Sequence, residues 1–79
     1  MDLTGSVVEY VDERGKPHAA LVTADWGVGS PDDDKSVNVV WVVGDESQTD
    51  SYGRQIARAT SVVNEARQAA PGLYWRRKP

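Results

Sequence analysis

The sequence predicts a small all-β domain on three observations. Its β-branched and aromatic residues gather in short runs that alternate with period two. Clusters of Gly, Pro and Asp separate those runs, as turns and loops require. The longest apolar run, Val39-Val40-Trp41-Val42-Val43, is five residues, far below the roughly 20 that a membrane-spanning helix needs.

The first strand is Ser6-Val7-Val8-Glu9-Tyr10-Val11, rich in residues that suit a pleated, half-buried surface. Asp12-Glu13-Arg14-Gly15-Lys16-Pro17 follows as a polar turn, where Gly15 can supply a positive φ. The chain then resumes as His18 to Trp26, placing Ala20, Val22, Ala24 and Trp26 on one face. These two runs read as an antiparallel hairpin with Pro17 confined to the turn, where its missing N–H costs nothing.

Gly27 to Lys35 is a loop by composition, with two Gly, one Pro and three consecutive Asp. The third strand, Ser36 to Val43, sets Val37, Val39, Trp41 and Val43 on one face and Asn38, Val40 and Val42 on the other. Two largely apolar faces make it the central, most buried strand. A second polar loop runs from Gly44 to Gly53.

Arg54 to Ala70 admits two readings. Ile56, Ala59, Val63 and Ala70 fall at near-helical spacing, with Asp50 or Ser51 as cap and Pro71-Gly72 as stop. The β-branched Thr60, Val62 and Val63 disfavour a helix interior through their restricted χ1. A strand over Gln55–Asn64 is preferred, then an irregular or briefly helical stretch over residues 64–70. Leu73-Tyr74-Trp75-Arg76-Arg77 reads as a short closing strand, so the whole of residues 1–79 is one domain.

Length and composition exclude much. Seventy-nine residues bury only roughly 60% of their unfolded surface, which leaves little stability for strained catalytic geometry. There is no Cys, so disulfides, thiolate metal sites and cysteine nucleophiles are excluded. Met1 leads straight into Asp2-Leu3-Thr4-Gly5, without the charged and apolar regions of a secretory signal. The expectation is a protein that is neither exported nor in a membrane.

Candidate chemistry is sparse. Asp32-Asp33-Asp34 has the oxygens a hard cation wants, but consecutive residues do not point three carboxylates at one ion. Asp45, Glu46 and Asp50 lack the cleft a carboxylate pair needs around its substrate. His18 is the only imidazole; with Asp25 or Asp45 as orienter it would need a nucleophilic Ser in an elbow, and none is present. Gly27-Val28-Gly29 completes no phosphate-binding motif. The residues therefore predict no enzyme, no cofactor and no metal.

Charge is the uneven feature. Residues 1–50 carry eleven acids against Arg14, Lys16 and Lys35, a balance of −8, whereas residues 51–79 carry six cations against Glu65, a balance of +5. The basic part can fold back over the acidic part, or it can meet another molecule. Trp41 is expected in the core, while Tyr74 and Trp75 stand beside Arg76 and Arg77, the composition of protein hot spots and single-strand platforms. The alternative is that Tyr74 and Trp75 close the barrel and the basic residues only solubilise the tail.

Ala20-Leu21-Val22-Thr23, Ser36-Val37-Asn38-Val39-Val40-Trp41-Val42 and Thr60-Ser61-Val62 stand in order between a Gly5-Ser6-Val7-Val8 opening and a Tyr74-Trp75-Arg76 ending. In this arrangement the chain resembles a group of short tailed-phage proteins, mostly without assigned function. It departs from them by a longer second loop and the Arg-rich stretch after Tyr52. The resemblance implies an SH3-like small barrel of about five antiparallel strands and a phage origin, and it carries over no catalytic residue.

The functional expectation is a non-enzymatic interaction or assembly module, associated with the virion as a capsid decoration or head/tail accessory protein, or else resident in the host cytoplasm. Its partner is expected to be a phage structural protein or copies of itself, contacted through Arg54, Arg58, Arg67, Tyr74, Trp75, Arg76 and Arg77. The alternatives are a nucleic-acid-binding barrel, against which the pI near 4.9 weighs, and a phage protein that binds a host factor.

Overall fold

The β-rich runs pair into a closed, five-stranded, SH3-like barrel in a computed structural model. It describes the backbone of residues 1–42, 49–50, 53–67 and 72–78, with side chains at 1–42, 55–67 and 72–78. Strand β1 is Val7–Val11, β2 is Pro17–Asp25 and β3 is Ser36–Val42. The short β4 (Thr49–Asp50) and β5 (Gly53–Arg54) form their own hairpin. Strand β6 is Ile56–Asn64 and β7 is Tyr74–Arg76. The barrel order is β1-β2-β3-β6-β7, and β7 returns to β1.

Neighbours pair antiparallel except at the closing seam, where β7 runs parallel to β6 through Val63↔Tyr74 and Asn64↔Trp75. A single 3-10 turn, Glu65–Arg67, opens the connection that makes this reversal possible. It is the brief helical stretch expected after β6; residues 68–70 lie outside the described residues. Within the segment with two readings, Ile56–Asn64 is a strand. Among the described residues no helix is long and apolar enough to cross a membrane.

Two bulges decide which side chains face inward. Val22 pairs with Val39 while Ala24 pairs with Asn38, so β2 holds one extra residue at Thr23. Ala20 and Val22 point into the core before it, and Asp25 is buried after it. The expected face of Ala20, Val22, Ala24 and Trp26 is therefore broken: Trp26 is 65% exposed in the turn beyond β2. In β6 the pairing steps from Ala59 to Val62 while β3 advances only from Val39 to Val37. Ser61 takes φ 53 there, and its N–H donates to Asn38 Oδ1 at 2.9 Å. The inward set changes from Ala57 and Ala59 to Val62 and Asn64, as an inserted residue must make it do.

The core joins Leu3, Val8, Tyr10, Ala20, Val22, Val37, Val39, Val62 and Trp75. Trp41, expected within it, is half-buried and packs against its edge, with its ring 4.5 Å from that of Tyr10. Leu3 precedes any strand yet is fully buried. Strand β3 is central by pairing but is not buried on both sides. Its inner residues Val37 and Val39 are sealed, while Val42 on the outer face is 60% exposed.

Backbone geometry closes the ends. Gly15 adopts φ 79 in the β1–β2 turn, where Asp12 Oδ1 accepts the N–H groups of Arg14 and Lys16. Gly72 lies against that same turn, and a Cβ on it would stand 1.7 Å from the carbonyl oxygen of Asp12. Only glycine permits that approach. Leu73 N–H then donates to Val11 O at 2.8 Å and leads the chain into β7.

Candidate interaction surfaces

The basic residues expected to form one exposed face are mostly spent within the molecule. Arg76 on β7 stands opposite Glu9 on β1, and its guanidinium donates through Nε to Glu9 Oε1 at 3.0 Å. Arg77 forks onto Asp32, with Nε–Oδ2 at 2.5 Å and Nη2–Oδ1 at 3.1 Å. Arg67 pairs with Asp34 and donates through Nε to the carbonyl of Asp33 at 2.9 Å. These bonds raise the pKa of Arg76 and Arg77 and hold the Asp32 carboxyl below its ordinary value. Three of the six cations of residues 51–79 are thus neutralised by folding back onto acids of residues 1–50.

Trp75 does not present a surface. It is 0% exposed, and its indole Nε1 donates to Lys35 O at 3.1 Å. The expected contact role of Trp75 is corrected: it closes the barrel, because a large aromatic on a three-residue strand gains most by filling the end of the core. Tyr74 beside it is half-buried. The side chain of Arg54 lies outside the described residues. Arg58 is exposed on β6 and remains a candidate contact.

Asp32, Asp33 and Asp34 form a 3-10 turn rather than a cation cradle. Among the described residues no group of three or more His, Cys, Asp or Glu could hold a metal ion. Asp45 and Glu46 lie outside the described residues, and Asp50 is described only in its backbone. His18 does not meet Asp25, which sits at the other end of β2. Its Nε2 lies 2.8 Å from Asp12 Oδ2, and its ring packs near those of Tyr10 and Trp41. The His18 hydrogen bond, joined by the N–H groups of Lys16 and Arg14, keeps Asp12 below the usual carboxylate range.

A buried ion pair is the feature that sequence reasoning missed. Lys35, read as loop, is 1% exposed, and its Nζ donates to Asp25 Oδ2 at 2.8 Å, Met1 O at 2.8 Å and Gly27 O at 2.9 Å. All three ammonium donors are satisfied. Asp25 also accepts from Leu3 N at 2.9 Å and Gly27 N at 2.8 Å. Burial pushes the Asp25 carboxyl up, but Lys35 and the two N–H groups outweigh it and hold it low. With every polar atom engaged, the pair has nothing left to offer a substrate. Its work is to tie the N-terminal arm, the β2–β3 loop and Trp75 together.

One solvent-facing side of the barrel is largely apolar. Val7, Leu21, Val40 and Arg58 stand side by side on β1, β2, β3 and β6, pointing away from the core. Beyond it Glu9 stands opposite Ala19 and Val42 opposite Ile56, with Ala19 and Val42 lining one groove. Val7 is 54%, Leu21 43% and Ile56 65% exposed. A groove of about 260 Å³ runs between these side chains. Trp26 extends the same face, its Nε1 donating to Asn38 Oδ1 at 3.0 Å. The signal lies in the sequence as the second apolar face of β3, a pattern that by itself implies burial on both sides. No family model, no curated protein and no solved structure matches the chain.

Proposed function

We propose that this chain is a non-enzymatic interaction and assembly module that works through the outer face of β1, β2, β3 and β6. One observation supports it: aliphatic side chains on four adjacent strands face water together. Contiguous exposed apolar surface on a small protein is a mark of an interaction site. The groove is smaller than the roughly 300–1,000 Å³ of small-molecule sites, and no cluster of polar side chains converges on its floor. That combination suits side chains of another polypeptide better than a metabolite. On the likeness to short tailed-phage proteins, the setting is the phage particle, as a capsid decoration or head/tail accessory protein.

Quantitative mass spectrometry of purified particles from the parent phage tests this setting. The expected result is many copies per particle in a fixed ratio to a major structural protein. Absence from particles together with abundance in infected cells would remove the virion role and favour a host-factor partner.

A further inference from the structure

The partner's chemistry is written in the border of the apolar face. Arg58 stands in the first row beside Val40, and Arg76 lies across β1 from Ala19, next to Glu9. Lys78 borders a shallow depression shared with Glu9, Pro17, His18 and Ala19, so it approaches the same face from the β7 side. Among the described residues of this border one acid, Glu9, stands against these three cations, and Arg76 already engages it. The described part of the border is therefore positive although the chain as a whole carries −3.

Resting on the reading of this face as the contact surface, we infer that its partner is an aliphatic polypeptide segment flanked by Asp or Glu. Aliphatic side chains fill the groove between Leu21, Val40, Val42 and Ile56, and carboxylates meet Arg58 and the Arg76–Lys78 edge. Charge at the border steers encounter and rejects wrong partners, while the apolar centre holds the complex. A second copy of this chain laid face to face is disfavoured, because an isologous contact sets like-charged borders against each other.

Panning a displayed library of twelve-residue peptides on the full chain tests the inference, with Leu21→Asp/Val42→Asp as the counter-screen. Both positions face solvent, and circular dichroism checks the fold. If the Asp variant fails to fold, Leu21→Thr/Val42→Thr keeps β-propensity while removing apolar surface. The expected clones lose binding on the double variant, carry Asp or Glu beside Leu, Ile or Val, weaken several-fold on Arg58→Glu, and weaken further as salt rises. Clones that need the face but are basic or neutral would overturn the acidic partner and leave the binding face standing. No clone that depends on the face would overturn the face itself. Wild-type chain that dimerises in sedimentation, with the double variant monomeric, would replace the acidic segment with a second copy.

Discussion

The end of the barrel around Lys35 and the outer face around Val40 use side chains in opposite ways. At the first, charged groups are buried or paired: Asp25 with Lys35, Asp32 with Arg77, Asp34 with Arg67. At the second, aliphatic groups meet water. Stability here leans on ionic residues that look like surface, and recognition is assigned to aliphatic residues that look like core. Residue type alone is a poor guide to role in a chain this small, because the barrel has room inside for only one layer of side chains.

Mutations at the two regions should separate cleanly. The largest effect is expected at Lys35→Met, which leaves the Asp25 carboxylate buried without its cation. Breaking one side of a buried pair costs about 3–5 kcal/mol, read as a lower midpoint in urea unfolding. A midpoint close to wild type would mean that water reaches Asp25 and that the ammonium is not what holds this end together. The contrasting variant, Val42→Thr, should change stability by less than about 1 kcal/mol, since its side chain is already mostly in water. A loss as large as that of Lys35→Met would show that the outer face is packed in solution.

A pH titration sharpens the same contrast. Asp12, Asp25 and Asp32 all lie below the ordinary value of 3.8 in the folded chain. Folded carboxyls with depressed pKa add stability that is complete above the unfolded value and lost as pH falls through the folded one. The melting temperature should therefore hold through neutral pH and fall as the solution is taken below about pH 4. Asp32→Asn should make that acid limb shallower, by lowering the melting temperature slightly at neutral pH and leaving it unchanged in acid, where the carboxyl is protonated in both states. An acid limb identical to wild type would discount the Arg77 contact.

The smallest effect belongs to the exposed pairs. Arg67→Gln with Arg77→Gln should cost no more than about 1 kcal/mol, and less at high salt, because solvent screens both bridges. A larger, salt-independent loss would show that the acidic 3-10 turn is braced by these arginines as firmly as the Lys35 end is by Asp25.

The strands themselves were legible. Ser6–Val11, His18–Trp26, Ser36–Val43, Gln55–Asn64 and Leu73–Arg77 each contain the observed strand or lie within a residue or two of it. The turn at Gly15 was legible too, since Asp12 and Gly15 carry its chemistry in their own side chain and backbone. The face proposed for contact was not. Trp75 and Arg76 adjoin in sequence and so suggest one surface, yet alternation sends Trp75 into the core and Arg76 outward to Glu9.

The sequence by itself determined an all-β chain, the order of its strands, the absence of thiol chemistry and a charge excess of opposite sign in its two parts. Tertiary structure decided three things. Bulges at Thr23 and Ser61 reversed the inward face partway along β2 and β6, which a period-two reading cannot see when one inserted residue changes the phase. The approach of loop, N-terminal arm and β7 put Lys35 beside Asp25, a pairing of residues distant enough that no local pattern encodes it. Barrel closure left the outer side of β3 uncovered, because a strand with two apolar faces is buried on both only if a second layer packs on it. The described residues supply one layer.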